Sequence, residues 1–168
     1  EGGGALINQS IHTMDLLGVL LGKPVSVEAQ TANHHLPGII EVEDMMEAYI
    51  RYENAEACFY ATTAYTEDAP PLIEISCENV VIRIEDLDVT LFWKDGCGGS
   101  GRIERPEIVR KQALGKSYWG TGHLDCISDF YRCLKTGGRF AQDLNGVRDT
   151  VRLMLAAYES ARQKGKQI

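Results

Sequence analysis

The sequence predicts an α+β fold: an open, mainly antiparallel sheet of about six strands with helices on one face. Three observations carry this reading. The elements run as one helix, then a block of strands, then two helices, and strands that do not alternate with helices exclude a doubly wound parallel sheet. The gaps at Glu53-Asn54 and Glu78-Asn79 are hairpin-sized, so neighbouring strands pair antiparallel. A chain of 168 residues buries roughly 70% of its unfolded surface, enough for one core without staples.

Ala5 to Leu21 reads as a helix, because Leu6, Ile7, Ile11, Met14, Leu17, Leu20 and Leu21 share a wide face at helical spacing. Gly22 and Pro24 end it. Val25 to Asn33 alternates apolar and polar residues as a half-buried strand does. A loop with Pro37 and Gly38 runs from His34 to Asp44. Strands follow at Met45–Tyr52, Ala57–Tyr65, Leu72–Cys77, Val80–Glu85 and Val89–Trp93. Asp95 to Gly101 is a Gly-rich loop without the spacing of a phosphate-binding loop, and the chain from there to Gly120 is ambiguous. His123 to Lys135 is helical, with Leu124, Ile127, Phe130, Tyr131 and Leu134 on one face. Asp143 is the expected N-cap of a last helix that reaches about Lys164. Met45, Tyr49, Phe59 and Tyr60 give the uncovered sheet face an apolar character, and such a face usually pairs with a second copy.

Composition narrows the function. Lys and Arg number 17 against 24 Asp and Glu, a net charge of −7, which repels nucleic acid and anionic membranes. No apolar run reaches the roughly 18 residues of a membrane helix. Cysteines stand at 58, 77, 97, 126 and 133. An odd count without C-x-x-C points to free thiols in a reduced, cytoplasmic compartment. The chain begins at Glu1 without Met or a signal-peptide pattern, so a processed or cut chain, or a fragment, is expected.

The pointed chemical signal lies on the first helix. Asn8, His12 and Asp15 are spaced i, i+4, i+7 and fall within an arc of about 60°. Imidazole titrates near neutral pH and can accept a proton, and a carboxylate three residues on can fix its tautomer. The same spacing also suits a solvent-facing helix edge, or a histidine satisfied by Asp15. His34-His35 is read as an exposed loop pair, since adjacent residues bind one ion poorly, and no metal site is expected. Glu41, Glu43 and Asp44 read as a solvated acidic cluster, with a role in receiving polyol hydroxyls or a cation as the alternative. His123 opens a helix and is uninformative alone.

The run Gly2-Gly3-Gly4-Ala5-Leu6-Ile7-Asn8-Gln9-Ser10-Ile11-His12-Thr13-Met14-Asp15-Leu16-Leu17 closely resembles the motif that opens the C-terminal domain of the Gfo/Idh/MocA oxidoreductases. This family includes glucose–fructose oxidoreductase and inositol dehydrogenase. The resemblance continues at Ile40-Glu41-Val42-Glu43-Asp44, at Gly122-His123 through Asp129-Phe130, and at Tyr158-Glu159-Ser160-Ala161-Arg162. It implies that residues 1–168 are the substrate-binding and oligomerisation half of an NAD(P)-dependent enzyme. An N-terminal Rossmann domain with a Gly-rich loop and a catalytic Lys would complete that enzyme. This chain has no strand–Gly-rich loop–helix unit, so no cofactor-binding residue is assigned here, and the isolated chain is expected to be inactive and not to bind NADH. NAD or NADP is implied for the full-length enzyme.

By resemblance, His12 is the catalytic histidine, and Asn8, Asp15 and His123 contact or orient a sugar, cyclitol or related polyol. The family often has Asp where this chain has Asn8. Asn orients a hydroxyl but cannot take its proton, which moves the base role to His12 or to the Lys of the other half. The resemblance also implies a homo-oligomer through the open sheet face. The alternative is a stand-alone ligand-binding or dimerisation module that keeps the fold without the chemistry.

Overall fold

Alternation along residues 24–62 builds a three-stranded antiparallel sheet, ordered β1 (Pro24–Ala32), β2 (Met45–Tyr52) and β3 (Glu56–Thr62). The computed structural model describes residues 3–67, 69–95, 100–107 and 122–168. They divide into two compact units, one of Glu1–Glu67 with Ala141–Ile168 and the other of Asp68–Phe140.

In the first unit the register sets the core. Val27 lies opposite Ile50, and Ala29 opposite Ala48, which in turn faces Phe59, while Met46 faces Ala61. All of these are buried, because residues two apart on a strand share a face. Helix α3 (Arg148–Arg162) covers that face, lying along β1 and burying Leu153, Met154 and Ala157. Each large apolar side chain so enclosed is worth about 1.5–3 kcal/mol of transfer free energy. Tyr52 shares the buried face, but its hydroxyl has no partner among the described residues, and burial pushes its pKa up to about 12.

The opposite face is uncovered among the described residues. Glu28, Tyr49 and Cys58 form one cross-strand row on it, and Gln30, Glu47 and Tyr60 the next. Phe59 is a correction to the sequence reading. It is buried with the helix-covered core while Tyr60 is 61% exposed, since adjacent strand residues point to opposite faces.

The free edge of β1 is closed by the end of the chain. Val27 and Ile168 exchange both backbone hydrogen bonds, each 3.0 Å. Ala29 N donates to Ser160 Oγ at 2.9 Å, and the Ser160 hydroxyl donates to Lys166 O at 2.7 Å. Lys164 and Gly165, with φ of 61° and 81°, turn the chain out of α3 towards this edge. Covering an edge in this way removes a template for unwanted strand pairing.

The first helix differs from the expected single α-helix. Leu6–Ser10 is a π-helical turn, and α1 proper spans Ile11–Leu21. Leu6, Met14 and Leu17 are buried, whereas Ile7, Leu16, Val19 and Leu20 are exposed, so the buried stripe is narrower than the apolar pattern. Helix α3 begins with Val147 at its N-cap and no side-chain cap. Asp143, expected to cap it, instead accepts a hydrogen bond from Gly146 N at 2.8 Å in the preceding turn.

The second unit holds a four-stranded antiparallel sheet of β4 (Leu72–Ser76), β5 (Val80–Glu85), β6 (Asp88–Lys94) and β7 (Ser100–Glu104), together with α2 (Gly122–Thr136). The α+β class and antiparallel pairing therefore stand, in seven described strands divided between two sheets. The added strand is β7. Its pairing shifts register at Phe92/Lys94 of β6, an irregularity that its Gly-rich approach does not advertise. Residues 96–99, which include Cys97, and the ambiguous stretch 108–121 lie outside the described residues.

Candidate functional site

The site is built on the start of the first helix. Backbone N–H groups at a helix start lack intrahelical partners, and here Glu43 supplies acceptors for them. Ala5 N donates to the Glu43 backbone O at 3.0 Å, and Leu6 N to Glu43 Oε1 at 3.1 Å. The Tyr158 hydroxyl, from α3, donates to the same Oε1 at 2.8 Å. Burial and then this carboxylate contact push the Tyr158 pKa well above its ordinary value. Gly4 leaves room for the carboxylate, since a Cβ there would stand 2.1 Å from Glu43 Oε2 and push that side chain from its place.

From this anchored start the chain runs through the π-helical turn into α1. Asn8 and His12 are both exposed. His12 has no hydrogen-bond partner among the described residues, which leaves its imidazole free to meet a ligand. Asp15 is occupied elsewhere, since the Thr150 hydroxyl of α3 donates to its Oδ1 at 2.5 Å. Within the stripe, then, Asp15 ties α1 to α3 while Asn8 and His12 face outward. Short π-helical segments recur at functional sites, and this one carries Asn8. His123 lies exposed at the start of α2 in the other unit.

The acidic run is solvated only in part: Glu41 is exposed, as expected, whereas Glu43 is half-buried and Asp44 is buried. Asp44 is 1% exposed. Its Oδ1 accepts His34 N at 3.0 Å, and its Oδ2 accepts His35 N at 2.5 Å and Leu36 N at 3.0 Å. Burial pushes this carboxyl up, but the three backbone donors outweigh it and hold the pKa below the usual value. Asn33 closes the same loop by donating from Nδ2 to Ile40 O and Val42 O, each at 3.0 Å. Glu43 and Asp44 therefore organise backbone, and His34-His35 is a loop pair held by its main chain. Among the described residues no three His, Cys, Asp or Glu side chains converge as metal ligands would.

A cleft of about 200 Å³ opens beside the inner end of the stripe, lined by Asp15, Gly18, Lys23, Asp149 and Thr150 among others. It is smaller than the roughly 300–1,000 Å³ of usual small-molecule sites. The exposed Asn8 and His12 lie outside this cleft, and a larger depression of about 400 Å³ lies on the open sheet face, lined by Glu28, Gln30, Glu47, Tyr49 and Tyr60 among others. Glu43, Thr150 and Tyr158 escaped the sequence reading as partners of the stripe. The only sequence signal for two of them was their place in the resembling patches Ile40–Asp44 and Tyr158–Arg162.

Residues 1–83 match the family described as the GFO/IDH/MocA C-terminal domain. The chain's first 83 residues are those of a Gfo/Idh/MocA C-terminal domain. No curated protein sequence matches this chain. Among solved structures it is similar to the WlbA dehydrogenase from Bordetella pertussis in complex with NADH and UDP-GlcNAcA. That likeness has 25% identity and a TM-score of 0.72, over 99% of this chain and 45% of that one. An oxidoreductase from Agrobacterium radiobacter in complex with NAD+, L-tartaric acid and magnesium shares 20% identity with a TM-score of 0.78, over 97% of this chain and 48% of that one. Levoglucosan dehydrogenase, in complex with NADH and levoglucosan, shares 21% identity with a TM-score of 0.78, over 99% of this chain and 50% of that one. The chain thus spans about half the length of the solved structures it matches. Among its described residues no helix is long and apolar enough to cross a membrane.

Proposed function

We propose that residues 1–168 form a single C-terminal domain, the substrate-binding and oligomerisation half of an NAD(P)-dependent oxidoreductase. Its substrate is a sugar, a cyclitol or a sugar derivative, and His12 is the proton acceptor. The observation that carries this reading is the division of the polar stripe. Asp15 is bonded to Thr150, whereas Asn8 in the π-helical turn and His12 in α1 both stand exposed. Three similar structures hold NAD+ or NADH, two of them beside a sugar or sugar derivative, and a polyhydroxylated substrate suits a site of amide and imidazole.

Oxidation of a hydroxyl needs a hydride acceptor, which the nicotinamide of the other half supplies, and a base for the O–H proton. This chain's part is to orient the hydroxyl through the Asn8 amide and to take its proton on the His12 imidazole. Imidazole is suited to that task because it is largely unprotonated near pH 7. Asn8 cannot compete for the proton. His123 is proposed as a further substrate contact, and the cytoplasm as the compartment, in keeping with the free thiols of Cys58, Cys77, Cys126 and Cys133.

In the full-length protein, His12→Ala is expected to lower turnover of a sugar or polyol by roughly 10²–10⁴-fold with the fold retained. Steady-state kinetics with circular dichroism check this. Near-normal turnover would return His12 to the structural histidines and favour a module that binds or assembles without chemistry.

A further inference from the structure

We infer that Glu43 and Tyr158 are positioning residues for the Asn8–His12 surface. Their shared hydrogen bond holds the π-helical turn in the one setting that presents both side chains together. The consequence for catalysis rests on the reading of Asn8 and His12 proposed above, but the positioning itself does not.

The argument starts from what the first helix must satisfy. Leu6 is fully buried, so its N–H cannot turn to water, and the acceptor within reach is Glu43 Oε1 at 3.1 Å. A glutamate side chain alone has three rotatable bonds and would wander. Tyr158 removes that freedom, because its hydroxyl is delivered from α3, whose buried Leu153, Met154 and Ala157 fix the helix against the sheet. The 2.8 Å bond from Tyr158 to Oε1 thus passes the rigidity of α3 through Glu43 to the backbone of Leu6.

Four residues after Gly4, Asn8 N donates to Gly4 O at 3.1 Å, so the placement of the helix start sets that of Asn8. One turn later, Asp15 makes the second tie, to Thr150 of the same helix α3. His12 lies between the two ties. A π-helical turn is rare and held by its surroundings. The Glu43–Tyr158 pair is a polar contact that fixes where this turn begins, and the Tyr158 hydroxyl also meets the Ile7 backbone N–H within the turn.

The test uses the 168-residue chain, with histidine side-chain NMR and amide hydrogen exchange as readouts, so it needs no substrate. Glu43→Ala is expected to speed exchange at Leu6–Asn8 about tenfold, the effect of losing one hydrogen bond, and to shift the His12 imidazole signals. Tyr158→Phe is expected to move both in the same direction by less. Glu43→Gln keeps an oxygen acceptor at the same reach and is expected to stay near the parent. Amides of β1 and β2 are expected to be unchanged throughout.

Unmoved His12 signals in both Glu43→Ala and Tyr158→Phe would overturn the inference. Equal acceleration across β1, β2 and the helix start would also overturn it, by reducing the pair to general stability. A catalytically silent His12→Ala in the full-length protein would sink the proposed function and leave this readout intact.

Discussion

At the residue scale, Asp44 shows how a charge becomes part of the backbone's own bonding. Both carboxylate oxygens are used, against the N–H groups of His34, His35 and Leu36. Because the folded pKa lies below its unfolded value of about 3.9, ionised Asp44 stabilises the fold above that pH. The contribution fades as pH falls through the folded pKa. Asp44→Asn keeps one acceptor but turns an NH₂ towards backbone donors. It is expected to lower the melting temperature at pH 7, with the gap to the parent closing as the pH drops below about 4. Thermal unfolding followed across pH checks this, and a gap independent of pH would mean that the ionised form is not what holds the loop. The sequence showed an acidic run here but not its burial, since nothing local says that the loop's amides fold back over residue 44.

At the element scale, the informative features are a strand edge and a helix start. Ser160 is fully buried on α3 yet serves β1, accepting from Ala29 N and donating to Lys166 O. Ser160→Ala would leave the Ala29 N–H unpaired at the sheet edge. The expected cost is about 1–3 kcal/mol, read from the shift in urea midpoint, and a cost near zero would mean that water or the tail replaces the hydroxyl. The span of the first helix was legible, because its apolar spacing and the Gly22-Pro24 stop are local. Its π-helical turn was not, and the side chains bonded at its start, Glu43 and Tyr158, come from far along the chain. The same reason explains Asp143. A capping residue type was present, but the chain turned once more before the helix began at Arg148.

At the scale of the whole molecule, the uncovered face of the β1–β2–β3 sheet bears on assembly. Tyr60 is 61% exposed, with Tyr49, Cys58, Gln30 and Glu47 in its own and the neighbouring cross-strand row. This mix of exposed aromatic and polar side chains resembles the composition of interfaces between subunits. Under the proposed oligomerisation role, Tyr60→Asp would place a charge at the centre of the contact and convert the oligomer to a smaller species in sedimentation or light scattering. An unchanged mass would assign assembly to another surface. The net charge of −7 adds a mutual repulsion that such a contact must overcome, so the mass is expected to rise with salt.

What the sequence determined by itself is whatever periodicity and punctuation encode locally. It set the α+β class, the antiparallel order of the strands, the spans of β2 and β5 to the residue, and the placing of His12 and Asp15 on one helix. Short-range rules suffice there, because side-chain direction repeats every two residues in a strand and about every 3.6 in a helix. Tertiary structure alone decided which member of the stripe was free. Thr150 lies 135 residues from Asp15 and Tyr158 lies 115 from Glu43, and only the packing of α3 on β1 brings these partners within reach. Hydrogen bonds of that kind depend on distance in space, which local sequence patterns do not specify. The sequence therefore named the candidate chemistry, and the fold chose His12 and Asn8 as the exposed pair.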